Sequence, residues 1–439
     1  MQSTDSSNFF RSEADIAAEE ARAKKAERTK HIGNPVELKG KVIRLTVRGG
    51  EAWTAESGSI LRRVNLVTGK SVQIYKGHTG PVTCLAFFEP DSDRTILLSG
   101  AWDQTIRAWD VKTGNLLSTT KAHSDFLKTL LVIPHLNLLV SGSSDKHIKL
   151  WDLGVLISSA TQNEPLTQIG STTGHTRPVE CLAVDSSASY RLYSADSMGV
   201  IKAWEVESHP APTSSRRLTH VGDLRAHTMG ITDMWVAHGR VWSASTDNTV
   251  RVQSFEKEAV LHSLDHAIHV RSLIPLHLTP AGLPVLIAGS ATGGLHIWDL
   301  EWAGDGDDPA VIDGSGARES GMVDVHSHDV TGLALWVRQP AAESAMETAS
   351  EGKELTRVQS AEAWVVSGSL DGTLRRWRLS DLLDGKYGAI AQTATESQVD
   401  ELKSNSKPLQ NPPGGKLQTF AMTEEEEQEL AELMSDEDN

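Results

Sequence analysis

Cysteine is almost missing from this chain, with two thiols, Cys84 and Cys181, among 439 residues. Two cysteines cannot build a disulfide framework or a cysteine-rich metal site. A reducing compartment, cytoplasm or nucleus, is therefore expected. Both thiols fall at the same place in similar strings, TCLAF and ECLAV, which suits buried core positions. Long apolar runs are missing too. No stretch reaches the ~20 apolar residues that a membrane helix needs. The start, MQSTDSSNFFRSEAD, has no apolar segment of the kind a signal peptide carries, so no membrane partner is expected. Positive charge is in deficit: 42 Lys and Arg against 58 Asp and Glu give a net charge of −16. Nucleic-acid binding over the whole surface is disfavoured, because phosphate contact requires clustered cations. An acidic balance suits solubility and basic partners, and a local basic patch stays open.

Catalytic signatures are also lacking. GHTGPVT has no Lys-Ser/Thr ending and is not a phosphate-binding loop. No GxSxG nucleophile elbow occurs. Seventeen histidines invite a metal reading, with His262, His266 and His269 close together and His326 and His328 flanking Ser327. No cysteine or HExxH spacing accompanies them, and metal sites need convergent ligands with supporting partners. Neither a metal, a cofactor nor a catalytic site is expected.

What the chain does have is a repeat. SGAWDQTIRAWD (99–110) returns as SGSSDKHIKLWD (141–152), SADSMGVIKAWE (194–205), SASTDNTVRVQS (243–254), AGSATGGLHIWD (288–299) and SGSLDGTLRRWR (367–378), with TAESGSILRRVN (54–65) an earlier relative. One copy reads as four short strands. VTCLAFF alternates, EPDSD breaks it, and TILLSG is a second strand. AWDQ is a tight turn in which Asp103 can bond nearby backbone amides. TIRAWDV and LLSTTKA follow, separated by KTGN. Units of about 40–45 residues with a Gly-His before the first strand and a Trp-Asp ending the third carry the signature of one propeller blade.

On these residues the chain resembles the WD40-repeat family over roughly 35–380. The resemblance implies an all-β fold, a seven-bladed propeller with units near 41–76, 77–121, 122–169, 170–225, 226–264, 265–325 and 326–379. The last unit lacks its own fourth strand, and Val36–Leu38 is expected to supply it, closing the ring from the N-terminal side. The family ties each blade with a buried network of His, Ser or Thr, Asp and Trp. His78, Ser99, Asp103 and Trp109 match it, as do His123, Ser141, Asp145 and Trp151, and His326, Ser367, Asp371 and Trp377. Blade four keeps His175, Ser194 and Trp204 with Met198 at the Asp position. Blade five has Gln253 for Trp, blade six Ala288 and Thr292 for Ser and Asp, and blade one Thr54, Gly58 and Val64 without a His. These four blades are expected to be looser. The Asp residues are thereby assigned to turns rather than to catalysis.

Outside the ring, residues 1–33 read as a charged, partly helical extension, with the helix over 10–30. Residues 206–219, 303–321 and 338–361 have the composition of disordered insertions. Residues 381–415 form a polar linker and 416–439 an acidic tail. Within that tail Thr423 is a helix N-cap candidate, and Leu430, Leu433 and Met434 share one face.

The family resemblance implies partner docking on the face that carries the turn between second and third strands. The residue before the turn Asp projects there: Trp102, Ser144, Ser197, Thr246, Ala291 and Leu370. Trp102 and Leu370 are large and apolar, as binding hot spots often are. Phe126, Lys128, Arg177, Glu180 and Arg271, around the starts of first strands, are expected on the same rim. The expected function is a non-catalytic protein-interaction scaffold, monomeric or within a hetero-complex. A ubiquitin-ligase substrate receptor is a weaker alternative, since no Trp-Asp is followed by the Arg of the cullin-adaptor motif and no F-box-like module precedes the ring. A ribosome-assembly or chromatin role is the third, resting on the acidic tail.

Overall fold

Seven four-stranded antiparallel sheets follow one another along the chain, as the alternating apolar patterns dictate. The computed structural model describes residues 12–157, 163–185, 191–206, 216–225, 227–255, 259–300, 317–338 and 362–388. Blade 2 shows how the sequence works. Its inner strand Val82–Asp91 buries Val82, Cys84, Leu85 and Phe88, while the second strand, Arg94–Ala101, is buried along most of its length. Thr105–Asp110 and Leu116–Lys121 complete the sheet, with Leu85 opposite Ser99 and Leu97 opposite Trp109. The inner strands of the other blades are Val42–Arg48, Leu127–Ile133, Val179–Asp185, Ile231–Ala237, Val270–Pro275 and Val330–Arg338. Blade 7 holds three consecutive strands, and its fourth is Val36–Glu37, with Val36 opposite Leu374. The ring is closed by the N-terminal strand, which covers the free edge of Thr373–Arg378.

The core lies between blades rather than within one sheet. Trp53, Leu61 and Tyr75 of blade 1 pack with Val82, Leu97 and Trp109 of blade 2. Gly100 permits such approach at the next junction, since a Cβ there would sit 2.1 Å from the Leu127 side chain.

Every inner strand carries an irregularity at its second residue, where Ile43, Thr83, Lys128, Glu180, Thr232, Arg271 and Thr331 are passed over in the pairing. A bulge re-aims the extra side chain. Here three threonines turn to the neighbouring blade: Thr83 Oγ1 donates to the Leu127 carbonyl (2.5 Å), Thr232 to Val270 (2.8 Å) and Thr331 to Val42 (2.7 Å). The longer bulge residues make ion pairs instead, Lys128 with Glu180 and Arg271 with Asp329.

The N-terminal helix spans Glu13–Arg28 and is capped by Ser12, whose hydroxyl accepts from the Asp15 N–H. It is not free. Lys25 pairs with Asp324, Thr29 donates to the Val325 carbonyl at 2.7 Å, and the Arg375 guanidinium caps the Thr29 and Ile32 carbonyls. Two stretches read as loops begin strands earlier than expected: Leu218–Arg225 and Arg318–Asp324 are the fourth strands of blades 4 and 6. The expected polar linker also starts later, because helix Leu379–Leu383 buries Leu379 and Leu382, and Tyr387 packs edge-on to Trp377. Residues 389–439, with Leu430, Leu433 and Met434, lie outside the described residues, as do most of the three insertions.

Candidate interaction site at the channel mouth

The blade networks fix the turns from which the site is built. In blade 2 the Trp109 indole N–H donates to Ser99 Oγ (2.9 Å), Ser99 contacts His78 Nε2 (2.8 Å), and His78 Nδ1 meets Asp103 (2.8 Å). A neutral imidazole has one donor and one acceptor nitrogen. The chain of donation therefore runs Trp to Ser to His to Asp, and every member is satisfied. Asp103 also accepts the Thr79 and Thr105 N–H groups, which shapes the turn beneath Trp102. Burial opposes ionisation of Asp103, yet the bonds from His78, Thr79 and Thr105 hold its carboxyl well below the usual range. The same four-part network recurs as His123–Ser141–Asp145–Trp151 and His326–Ser367–Asp371–Trp377. Burial pushes His123 down to about 4, so the imidazole is neutral. These groups are buried and mutually saturated, which suits a fixed scaffold rather than proton transfer.

Blades 4 and 1 lack an acid at the turn position but make other buried bonds. In blade 4 the acid comes two residues early: Asp196 meets His175 Nδ1 at 3.1 Å, and Ser194 joins His175 and Trp204 at 2.6 and 2.7 Å. In blade 1 Glu56 stands at that same early position. It receives Arg62 through two bonds (2.7 and 3.1 Å) and the Thr54 hydroxyl at 3.0 Å, a buried ion pair in place of the His network. Blade 5 keeps His227, Ser243 and Asp247, while Gln253 Oε1 is buried without a hydrogen-bond partner. Blade 6 is the eroded one: both ring nitrogens of His266 and the Trp298 indole nitrogen are buried and unpartnered.

All seven inner strands line a central cavity of about 1320 Å³. Arg44 of blade 1 crosses it to Asp233 of blade 5 at 3.2 Å, blades that are not neighbours in the ring. Asp233 is held in turn by the Leu273 and Met234 N–H groups, each at 3.1 Å, and its charge raises the Arg44 pKa against burial. Cys84 and Cys181 also border the cavity, and burial pushes Cys84 up to about 12 and Cys181 higher still, so neither is a thiolate. Among the described residues no three His, Cys, Asp or Glu converge as metal ligands, and no helix is long and apolar enough to cross a membrane.

At the mouth, Trp102 is 43% exposed and stacks on Phe126, itself 40% exposed, with ring centroids 4.8 Å apart and planes at 21°. Trp102, Lys128, Glu180, Arg271 and Leu370 all border the cavity. Lys128–Glu180 (3.3 Å) and Arg271–Asp329 (2.8 Å) neutralise one another in pairs. Leu370 is half-buried, whereas Arg177 is exposed and stands outside the cavity lining. Sequence reasoning missed Met198 and Met229, about half exposed at the same mouth (51% and 50%). It also missed the Arg44–Asp233 strut. The methionines could have been found by noting that an Asp at 196 releases position 198 from the turn network. The strut joins residues 189 apart and left no local signal.

The WD domain, G-beta repeat family matches residues 69–110 and 114–152. An uncharacterized WD repeat-containing protein of Schizosaccharomyces pombe is 25% identical over 463 residues, covering 99% of this chain and all of the relative. The ribosome biogenesis protein YTM1 of Ajellomyces capsulatus is 39% identical over 136 residues, 31% of this chain and 26% of that protein. YTM1 of Kluyveromyces lactis is 32% identical over 178 residues, 40% of this chain and 37% of that protein. The chain thus spans well under half the length of the YTM1 proteins that it matches.

Proposed function

The chain being a seven-bladed propeller of WD40 repeats, we propose that it works as a non-catalytic scaffold that captures a protein partner on the face around the channel mouth. The observation that carries this reading is the exposed Trp102–Phe126 stack. Two stacked aromatic rings, one of them on a turn braced by the Asp103 bonds, have few rotamers to lose on binding, and such rings dominate interface energetics. Fold alone does not decide function, so the test is positional. Trp102→Ala removes a ring that supports no described core cluster, and the thermal transition is expected to hold. Capture of partners from an extract, quantified against wild type, is expected to fall about tenfold or more, as for a hot spot worth over 1.4 kcal/mol. Unchanged capture refutes the reading.

The YTM1 likeness supports a narrower version: membership of a hetero-complex in ribosome biogenesis, with a nuclear address. Its test is co-sedimentation of the tagged chain with ribosomal precursors, with and without residues 416–439, which we assign to recruiting a second partner. Sedimentation as a free protein in both cases counts against it.

A further inference from the structure

The channel mouth carries two separate apolar pairs, and two exposed cations stand between them. The first is Trp102 with Phe126, at the junction of blades 2 and 3. The second is Met198, in the turn of blade 4, with Met229, on the approach to blade 5. Met198 is available there because Asp196, two residues earlier, has taken over the bond to His175. The Met198 N–H instead donates to Asp196 at 2.9 Å, which fixes the turn while the side chain stays about half exposed. Between the pairs lie the turn of blade 3 and the approach to blade 4, where Lys146 and Arg177 are exposed. Neither makes an ion pair among the described residues. The cations that line the cavity itself, Lys128, Arg271 and Arg44, are each paired with a carboxylate. A partner crossing from blade 2 to blade 5 therefore meets apolar, cationic, then apolar surface.

We infer that this arc takes an acidic peptide segment whose carboxylates lie between two large apolar side chains. Resting on the interaction reading of the same face, the inference adds the chemistry of the ligand. Flexible thioethers at one end accept varied apolar groups, and the rigid aromatic stack anchors the other. Arg177 and Lys146 select the acidic centre by attraction and reject a basic one. Two exposed cations are too few for a nucleic acid on this arc, since phosphate binding depends on extended cation clusters.

The test selects peptides from a random displayed library with the full chain as bait. A fluorescein-labelled copy of the most enriched peptide is then titrated against wild type and variants. Enriched peptides are expected to place Asp or Glu between large apolar residues. Met198→Ala with Met229→Ala should weaken binding about tenfold. Lys146→Glu with Arg177→Glu should weaken it about tenfold at low salt and much less at high salt, because exposed charges are screened. All four sites are surface-exposed, and unchanged thermal transitions establish that the variants fold. Selected peptides without an acidic centre overturn the inference, as does binding indifferent to both double variants, or tighter binding of a single-stranded RNA oligonucleotide at the same site. Should Trp102→Ala abolish binding while the methionine and cation variants do nothing, the acidic-peptide inference falls and the interaction reading stands. Should Trp102→Ala also do nothing, both fall.

Discussion

Replacing Ala288 by serine is expected to stabilise the protein, and the reason is visible in its sister blades. Ala288 sits opposite Leu273 just as Ser99 sits opposite Leu85. In blades 2, 3, 4 and 7 the serine hydroxyl at this place lies 2.6–2.8 Å from a histidine Nε2 and 2.7–2.9 Å from a tryptophan Nε1. In blade 6 both of those nitrogens are buried and unpartnered, and the rings of His266 and Trp298 stand 5.1 Å apart. A hydroxyl at 288 gives the indole an acceptor and the imidazole a donor. At a net ~0.5–1.5 kcal/mol per hydrogen bond, Ala288→Ser should add about 1–3 kcal/mol. For a domain of this size that is a rise in Tm of about 1–4 °C. The companion change Ser99→Ala leaves His78 and Trp109 each short of a partner and should cost about 2–5 kcal/mol. Urea denaturation and hydrogen exchange of the blade 6 amides would measure both. If Ser99→Ala destabilises while Ala288→Ser changes nothing, the blade 6 nitrogens are already satisfied and the reasoning fails.

Burial holds His123, His266 and His277 near 4, below the unfolded value of about 6.5. Between those two values the unfolded chain binds protons that the folded chain excludes. Stability should therefore drop as pH falls from ~6.5 to ~4, by up to about 1.4 kcal/mol per pH unit for each histidine, and urea midpoints that stay flat across this window would contradict it. Arg44→Met leaves Asp233 buried with only backbone donors and should cost about 3 kcal/mol, whereas pairing it with Asp233→Leu should cost less than the sum of the two single changes, the mark of a coupled pair in a double-mutant cycle. Removal of residues 1–30 strips the helix and its Lys25 bridge but leaves Val36–Glu37 on blade 7. Removal of residues 1–40 opens the ring, and its thermal transition should fall far more than that of the shorter truncation.

The ring was legible because its information is local and repeated. Strand alternation, the His before the first strand in six blades and the Trp at the end of the third in five recur at similar spacing, so seven sheets and the closing role of the segment at Val36 could be read from the sequence. The histidine networks of blades 2, 3 and 7 were legible for the same reason. The strut between Arg44 and Asp233 was not, because it depends on two inner strands facing across a channel whose width no local pattern encodes. Nor was the docking of the N-terminal helix, since Lys25 and Thr29 find their partners, Asp324 and Val325, only after the ring has formed.

Blades 1 and 4 show a subtler failure. Fixed-spacing alignment treats a missing Asp as a missing interaction. A strand, however, sends residues two apart to the same face, so an acid at the end of the second strand can reach the same histidine as an acid in the turn. Asp196 does this in blade 4. In blade 1 Glu56, at the equivalent place, binds Arg62 instead of a histidine. The interaction survives and the turn position is released from it. In blade 1 the released residue is Gly58; in blade 4 it is Met198, about half exposed beside Met229 at the channel mouth. What a repeat alignment scores as decay is thus a transfer of one structural duty by two residues, and the position set free is where surface chemistry can vary without loosening the blade.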